Sequence, residues 1–236
     1  MLKTISLISR KPDLSRAAFR EHYETVHAPL ALPHMTGLMR YVRYHVEEEW
    51  AGDFESDVLS AFWYRDAESA GEMMKTLSGE AGKPILADEL TFMDKPKNIF
   101  FPVSERHLDL GKSGGPKKPN TESEESVFVL LRNPEGESRY DSSSRLVLEH
   151  WGKLASACGP LGFALLRDTF PMERTGDSES DDGLRYNAVL QLNAAGGEGL
   201  REGLDRWSAG LVSTGYKVAV VMTRRFETAL PSGGIV

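Results

Sequence analysis

The 236-residue chain has a single cysteine, Cys158. That excludes an internal disulfide and any cysteine-based zinc cage, and it fits a reducing compartment. No apolar run approaches the roughly 20 residues of a membrane-spanning helix. The opening MLKTISLISRK has no basic n-region and only a short apolar stretch, so it does not read as a signal peptide. Basic clusters are missing as well. Lys and Arg are scattered through a chain of net charge −7, which disfavours nucleic acid and anionic membranes as partners. No Gly-x-Gly-x-x-Gly follows a strand-like run, and neither a P-loop nor a Gly-x-Ser-x-Gly elbow occurs, which disfavours nucleotide cofactors and serine hydrolysis. His-Glu-x-x-His is absent too. His22 and His27 stand five apart, off the i, i+4 spacing of one α-helical face, so no metal is expected. What is present is ordinary for a globular cytoplasmic protein: 40% hydrophobic and 27% charged residues, over a length that suits one or two domains.

The clearest seam is GKSGGPKKPNTESEES, residues 111–126, which has no large apolar residue. It reads as a flexible linker between domains at 1–110 and 127–236. The first domain alternates element types. Residues 2–9 read as a strand. Ser15 is a candidate N-cap for a helix carrying Phe19, Tyr23, Val26 and Leu30 at helical spacing. Pro29 is expected to stop that helix near His27, because the residue before a proline avoids the α region. Residues 38–47 and 57–64 read as strands. Asp66 caps a helix ending at Gly79, Pro84 to Asp94 looks partly helical, and 98–103 is a closing strand. The second domain repeats this order. It has strands at 127–132, 161–170, 184–194 and 216–226, a helix capped by Ser144 and stopped by Gly159–Pro160, and a weaker helix over 198–210. REHYETVH (20–27) aligns with LEHWGKLA (148–155), pairing His22 with His150 and Tyr23 with Trp151. Each βαββαβ unit packs two helices on one face of a four-stranded antiparallel sheet. The fold class is therefore α+β: two ferredoxin-like βαββαβ units packed sheet-to-sheet as an intrachain pseudo-dimer, with a pocket expected in the gap.

FREHYETVHAPLA, followed by GLMRYVRYH and ILADELTFMD, resembles the EthD-like family of the dimeric α+β barrel superfamily. The most specific part is the helix ending in His-Ala-Pro-Leu, residues 27–30, with Gly37, Tyr41 and His45 close behind. The resemblance covers most of residues 1–103. It implies a ferredoxin-like fold, a barrel of two units and cofactor-free chemistry, since related barrels act as isomerases, cyclases, dehydratases or oxygenases on lactones, quinones and aromatic polyketides. Some relatives bind haem. In the second domain Ala155 stands where His27 does and no His-Ala-Pro follows. That half is expected to be a degenerate repeat without an equivalent site.

His27 leads the candidates for chemistry. It lies one helical turn after Tyr23, and its intrinsic pKa suits acid–base work near neutrality; the same position suits a structural histidine capping a helix end. Tyr41, Arg43 and His45 alternate along a strand and share one face. As the more polar set they are expected to line the intersheet gap, with Val42, Tyr44 and Val46 beneath the helices. Asp88, Glu89 and Asp94 offer carboxylates, with Glu89 taken as the substrate-side one. Trp63 and Phe92 read as pocket wall, and His22 as a surface residue. The expected function is a cofactor-independent enzyme of secondary metabolism. It would dehydrate, isomerise or cyclise a small aromatic or polyketide-like carbonyl compound as a lyase or isomerase. His27, Tyr41 and His45 would be catalytic, and Tyr23, Arg43, Trp63, Glu89 and Phe92 would bind substrate. The alternatives are a cofactor-free oxygenase on a quinol-like substrate, a haem-binding protein, and a non-catalytic ligand-binding or assembly module. Further homo-oligomerisation is open.

Overall fold

A computed structural model describes residues 1–109, 124–134, 150–158, 163–169, 186–193 and 197–230. The expected linker up to residue 123, the Ser144 cap and the Gly159–Pro160 stop lie outside the described residues. The strands are β1 (Leu2–Ile8), β2 (Leu38–Ala51), β3 (Val58–Tyr64), β4 (Ile99–Asp109), β5 (Glu125–Arg132), β6 (Phe163–Thr169), β7 (Ala188–Asn193) and β8 (Lys217–Glu227). The main helices are α1 (Arg16–His22), α2 (Ala28–Ala31), α3 (Ala67–Ser78), α4 (Lys83–Phe92), α5 (Trp151–Cys158) and α6 (Gly197–Val212). The chain divides into two compact units. One holds Met1–Val46, Glu55–Pro102 and the chain from Phe226; the other holds Glu47–Phe54 and the described part of Val103–Arg225.

In the first unit the hydrogen-bonded order is β4-β1-β3-β2. In the second it is β8-β5-β7-β6, so first, second, third and fourth strands fall in the same places in both. β4 is shared: Ile99–Pro102 pair with β1 in the first unit, and Val103–Asp109 pair with β6 in the second. All the described ladders are antiparallel, which with the helices gives the α+β class expected from the sequence.

Each sheet has one face under its helices. In the first unit Phe19 and Tyr23 from the α1 region and Phe92 from α4 pack on Tyr41, Val58, Phe62 and Tyr64. Alternation along the strands turns Ile5, Leu7, Val42, Tyr44, Leu59 and Ala61 to the other face, where they are also buried. In the second unit Leu154 of α5 and Leu200, Leu204, Trp207 and Leu211 of α6 pack on Val127, Val129, Leu131, Leu166, Leu190 and Leu192.

Local chemistry sets the element ends. Ser15 caps α1 by accepting the Ala18 amide hydrogen at 3.1 Å, and Asp66 caps α3 through the Ser69 amide at 2.8 Å. Gly37, before β2, has φ +78°, and an added Cβ there would stand 2.7 Å from Ser69 Cβ. At Gly82, just before α4, an added Cβ would meet the Leu77 carbonyl oxygen at 1.6 Å, so only glycine lets α4 start so close to α3. α4 itself fills out the partly helical Pro84 to Asp94 stretch.

Two expectations fail here. Pro29 does not stop the helix. A π-helical turn, Tyr23–His27, follows α1 directly, and His27 keeps helical angles (φ −64°, ψ −53°) ahead of α2. The Ala28 amide donates to the Tyr23 carbonyl five residues back. Pro29 then falls in the first turn of α2. The second failure is β2, which runs past residue 47 to Ala51, and Trp50 and Ala51 pack on the core of the second unit.

Candidate active site

The π turn has a direct chemical consequence. Where bonds close over five residues, positions five apart come to one side of the helix. His22 and His27, which α-helical spacing would separate, therefore converge on one carboxylate. Asp88 of α4 accepts from His22 Nε2 at 2.8 Å through Oδ1 and from His27 Nδ1 at 2.9 Å through Oδ2. His22 is half-buried and supplies the side open to solvent. His27 is buried, with Tyr23 and Phe92 ring centroids 5.0 and 5.3 Å from its own. Phe92 also packs at 4.4 Å against His22. Burial lowers the pKa of His27 below the usual histidine value, against the opposing pull of the Asp88 hydrogen bond. The ring is thus neutral near pH 7. Because a carboxylate only accepts, the Nδ1 position carries the hydrogen, and Nε2 keeps its lone pair.

Beneath Tyr23 lies a second polar group. Tyr23 Oη and Tyr41 Oη share a hydrogen bond of 2.8 Å, and Tyr23 Oη also meets Ser60 Oγ at 3.1 Å. Beside them, Glu24 of the π turn accepts from Arg43 Nε at 2.8 Å and from His45 Nε2 at 2.7 Å. Arg43 Nη2 donates to Thr228 Oγ1 at 2.8 Å, and its guanidinium lies 4.5 Å from the Tyr41 ring centre. Burial would push the Glu24 carboxyl up, but hydrogen bonds from His45 and Arg43 outweigh it and hold the pKa low. Burial lowers His45 despite Glu24, and it raises both tyrosines, Tyr41 well above its usual value. Arg43 Nη1 and His45 Nδ1 are buried without a hydrogen-bond partner.

This corrects the expected orientation of β2. Tyr41, Arg43 and His45 do not face away from the helices; they lie beneath them, and Val42, Tyr44 and Val46 take the opposite face. Polarity alone misassigned the faces because the helix layer brings its own carboxylate. Glu24 neutralises Arg43 and takes the His45 proton donor, so the polar set is tolerated under a helix.

Among the residues singled out from the sequence, His27, Tyr23 and Phe92 come together, and Tyr41, Arg43 and His45 stand next to Tyr23. Glu89 and Trp63 do not join them. Glu89 is ion-paired with Lys95. Trp63 turns to the other sheet face, where the Arg40 guanidinium stacks at 5.0 Å and Lys3 Nζ at 5.9 Å from its ring. Sequence reasoning missed Glu24, Ser60 and the role of His22. Glu24 sits three residues before His27, but only the π turn puts it over β2. Among the described residues no cluster of His, Cys, Asp or Glu suits a metal ion. No described helix is long and apolar enough to cross a membrane.

Antiparallel sheets, each with one face under a helix layer, define an α+β fold. Over 99% of its length the chain shares its fold with an anthrone oxidase-like protein, at 12% identity, TM-score 0.56 and 96% coverage of that chain. Residues 11–96, a stretch that includes His22, His27 and Asp88, match the EthD domain model. An EthD family protein from Bacillus halodurans matches 42% of this chain and 96% of its own, at 24% identity and TM-score 0.33. A chlorite dismutase-like protein matches over 96% and 95%, at 9% identity and TM-score 0.49. No curated protein sequence matches.

Proposed function

We propose that the chain is an enzyme that moves protons on a small aromatic or polyketide-like carbonyl compound, with no cofactor, and so dehydrates, isomerises or cyclises it. The observation that carries this reading is the 2.9 Å hydrogen bond from His27 Nδ1 to Asp88 on a buried, neutral ring. Asp88 fixes the tautomer and steadies the imidazolium that forms when Nε2 takes a proton, as in other carboxylate–histidine pairs. His22 holds the second oxygen of Asp88, so the carboxylate cannot rotate away. Tyr23 and Phe92 supply the apolar, aromatic walls that a flat substrate needs. Tyr41, Arg43 and His45 position Tyr23 and the π turn from below.

The reaction begins as His27 Nε2 removes a proton from the carbon next to the carbonyl. The electron pair moves onto the carbonyl oxygen as an enolate, and the imidazolium then returns the proton to carbon or to a leaving hydroxyl. A second reading shares this first step: in a cofactor-free oxygenase the carbanion passes electrons to dioxygen. The fold held in common with an anthrone oxidase-like protein favours keeping it in view.

Solvent exchange tests the shared step. A panel of aromatic ketones with acidic C–H groups, anthrone among them, is incubated with the protein in D2O and followed by NMR. The expected result is catalysed exchange that falls about 10²–10⁴-fold in His27→Gln. Exchange equal in the variant and the parent protein would overturn the reading. An oxygen electrode separates the two outcomes downstream. A Soret band on adding haem, lost in His27→Gln, would assign the histidine to haem ligation instead.

A further inference from the structure

The EthD match ends at residue 96, yet the polar layer of the first unit takes in a segment far beyond it. The chain leaves the second unit along β8 and rejoins the first at Phe226. Alternation there turns Phe226 and Thr228 to one side and Glu227 to the other. All three meet β2. The Phe226 ring stands edge-on to His45, with centroids 5.3 Å apart and an interplanar angle of 89°. Thr228 Oγ1 accepts from Arg43 Nη2 at 2.8 Å, across 185 residues of sequence. Arg40 Nε and Nη2 donate to the two carboxylate oxygens of Glu227 at 2.8 and 3.2 Å.

The contacts of Phe226 and Thr228 fall on side chains with few other constraints. The Arg43 guanidinium lies over the Tyr41 ring, and its Nη1 is buried without a hydrogen-bond partner. Its angle within its own plane is therefore set along one edge, by Glu24 and Thr228. His45 Nδ1 also lacks a partner, so that ring is held by Glu24 at Nε2 and by Phe19, Tyr23 and Phe226 around it. Arg43 and His45 in turn donate to Glu24, which belongs to the π turn ending at His27. Packing alone would be served as well by a valine at 228, which has the shape of threonine; the hydroxyl is what meets Arg43.

We infer that Phe226 and Thr228 are positioning residues of the His27 site. They set Arg43 and His45, these set Glu24, and Glu24 fixes the angle at which the π turn presents His27 to Asp88. Their ring and hydrogen-bond contacts are with His45 and Arg43 rather than with His27, so the influence passes through Glu24. The inference rests on the acid–base reading for its effect on rate. It gives the later part of the sequence a share in the site, because that part returns this segment to β2.

The test uses the full chain and two readouts. Nitrogen NMR of the histidine rings follows the titration of His27 and His45 without any substrate. His27 faces Asp88, Glu89 and His22, and His45 faces Glu24, Arg43 and Arg20; burial is what holds both rings low. Phe226→Ala opens His45 to water, and the pKa of His45 should rise toward 6.5. The pKa of His27 should rise with it as the π turn loosens. A rise at His45 alone would be local packing and would overturn the proposal. Thr228→Val, the milder change, should raise His27 by the same route, and Thr228→Ser, which restores the hydroxyl, should return it to the parental titration. Leu204→Ala, a core deletion in the second unit, should leave both rings as they were; a matching rise there would trace the effect to general stability and would overturn the proposal too. The second readout is the deuterium exchange described above. It should fall about tenfold in Thr228→Val and recover in Thr228→Ser, since small misplacements of a reacting group cost up to about 10²-fold. A parent protein with no exchange but with coupled titrations would sink the acid–base reading and leave the positioning role standing. Intact exchange with uncoupled titrations would do the reverse.

Discussion

The two units lay down their strands in the same order yet fill the layer beneath their helices in opposite ways. In the second unit that layer is apolar, with Leu154, Leu200, Leu204, Trp207 and Leu211 pressed on Val127, Val129, Leu166 and Leu190. In the first unit the same layer holds Tyr23, Tyr41, Arg43 and His45 under Glu24. Burial of apolar area involves no proton, so an apolar layer responds little to pH by itself. A polar layer depends on protonation states and on every partner being in place. The first unit is therefore specialised, and its specialised layer lies directly under the turn that carries His27.

The sharpest way to break this contrast is to exchange one histidine in each unit. His27→Gln keeps a polar side chain but removes titration, and turnover should fall about 10²–10⁴-fold. His150→Gln, in the second unit, should leave turnover within a few-fold. Steady-state kinetics on the substrate found by deuterium exchange, with melting curves on both variants, decides it. Full turnover in His27→Gln together with a sharply lower melting temperature would make this histidine a structural cap.

Next in size is the buried ion network. Glu24→Ala strands Arg43 and His45 beneath a helix, and breaking a buried pair from one side costs about 3–5 kcal/mol. Leu204→Ala, in the apolar layer, should cost about 2–5 kcal/mol through lost burial and a cavity. Urea unfolding gives both values. The two differ in character: replacing Glu24, Arg43 and His45 together by apolar residues of similar volume should recover much of the loss, and no such rescue by neighbours is expected for the leucine. A Glu24→Ala cost below about 1 kcal/mol would show that the network contributes no more than a surface pair.

Much of this was legible in the sequence, and the part that was not has one cause. The succession of strands and helices along the chain, the Ser15 and Asp66 caps and the helix carrying Phe19 and Tyr23 follow from periodicity and capping chemistry, which are local. The His-Ala-Pro-Leu signature, residues 27–30, falls inside the stretch that matches the EthD domain model. What stayed hidden was the π turn. A proline after His27 reads as a stop, and a five-residue gap between histidines reads as two faces. Both rules assume α-helical geometry, and one wider turn defeats both. The same turn carries Glu24 over β2, which is why polarity alone put Tyr41, Arg43 and His45 on the wrong face. Asp88 stood among three nearby carboxylates, and only the packing of α4, allowed by Gly82, selects it over Glu89.

The pH dependence of stability separates the two layers more finely. Burial lowers His27 and His45 below the histidine value of 6.5. In the unfolded chain both take up a proton near that pH. Between there and their folded values the unfolded state holds more protons, so their contribution is complete above about pH 6.5 and is lost as the pH falls through it. Each histidine can add at most about 1.4 kcal/mol per pH unit to that slope. Glu24 adds its own loss at lower pH, below its unfolded value near 4.5. Melting temperatures from about pH 7.5 down to about pH 5.5 should therefore fall, and fall less in His45→Gln than in the parent protein. An identical slope in both would mean that His45 is not held neutral.

The smallest expected effect is that of Tyr41→Phe. Tyr41 is 1% exposed, and its hydroxyl is joined to Tyr23 Oη at 2.8 Å. Removing the hydroxyl leaves Tyr23 with Ser60 as partner at 3.1 Å, so no buried group on Tyr23 is orphaned. The stability cost should be that of one ordinary hydrogen bond, about 0.5–1.5 kcal/mol. The rate is more informative. A donor that touches the developing oxyanion is worth about 10²–10³ in turnover. A hydroxyl that only positions Tyr23 from below should lower turnover less than about tenfold and raise KM, because the wall beside His27 loosens while the proton transfer itself is untouched. Tyr23→Phe provides the reference: it keeps the wall and removes the link. If Tyr41→Phe lowers kcat a hundredfold with KM unchanged while Tyr23→Phe does little, then Tyr41 reaches the substrate directly, and the layer beneath the helix is part of the site rather than its support.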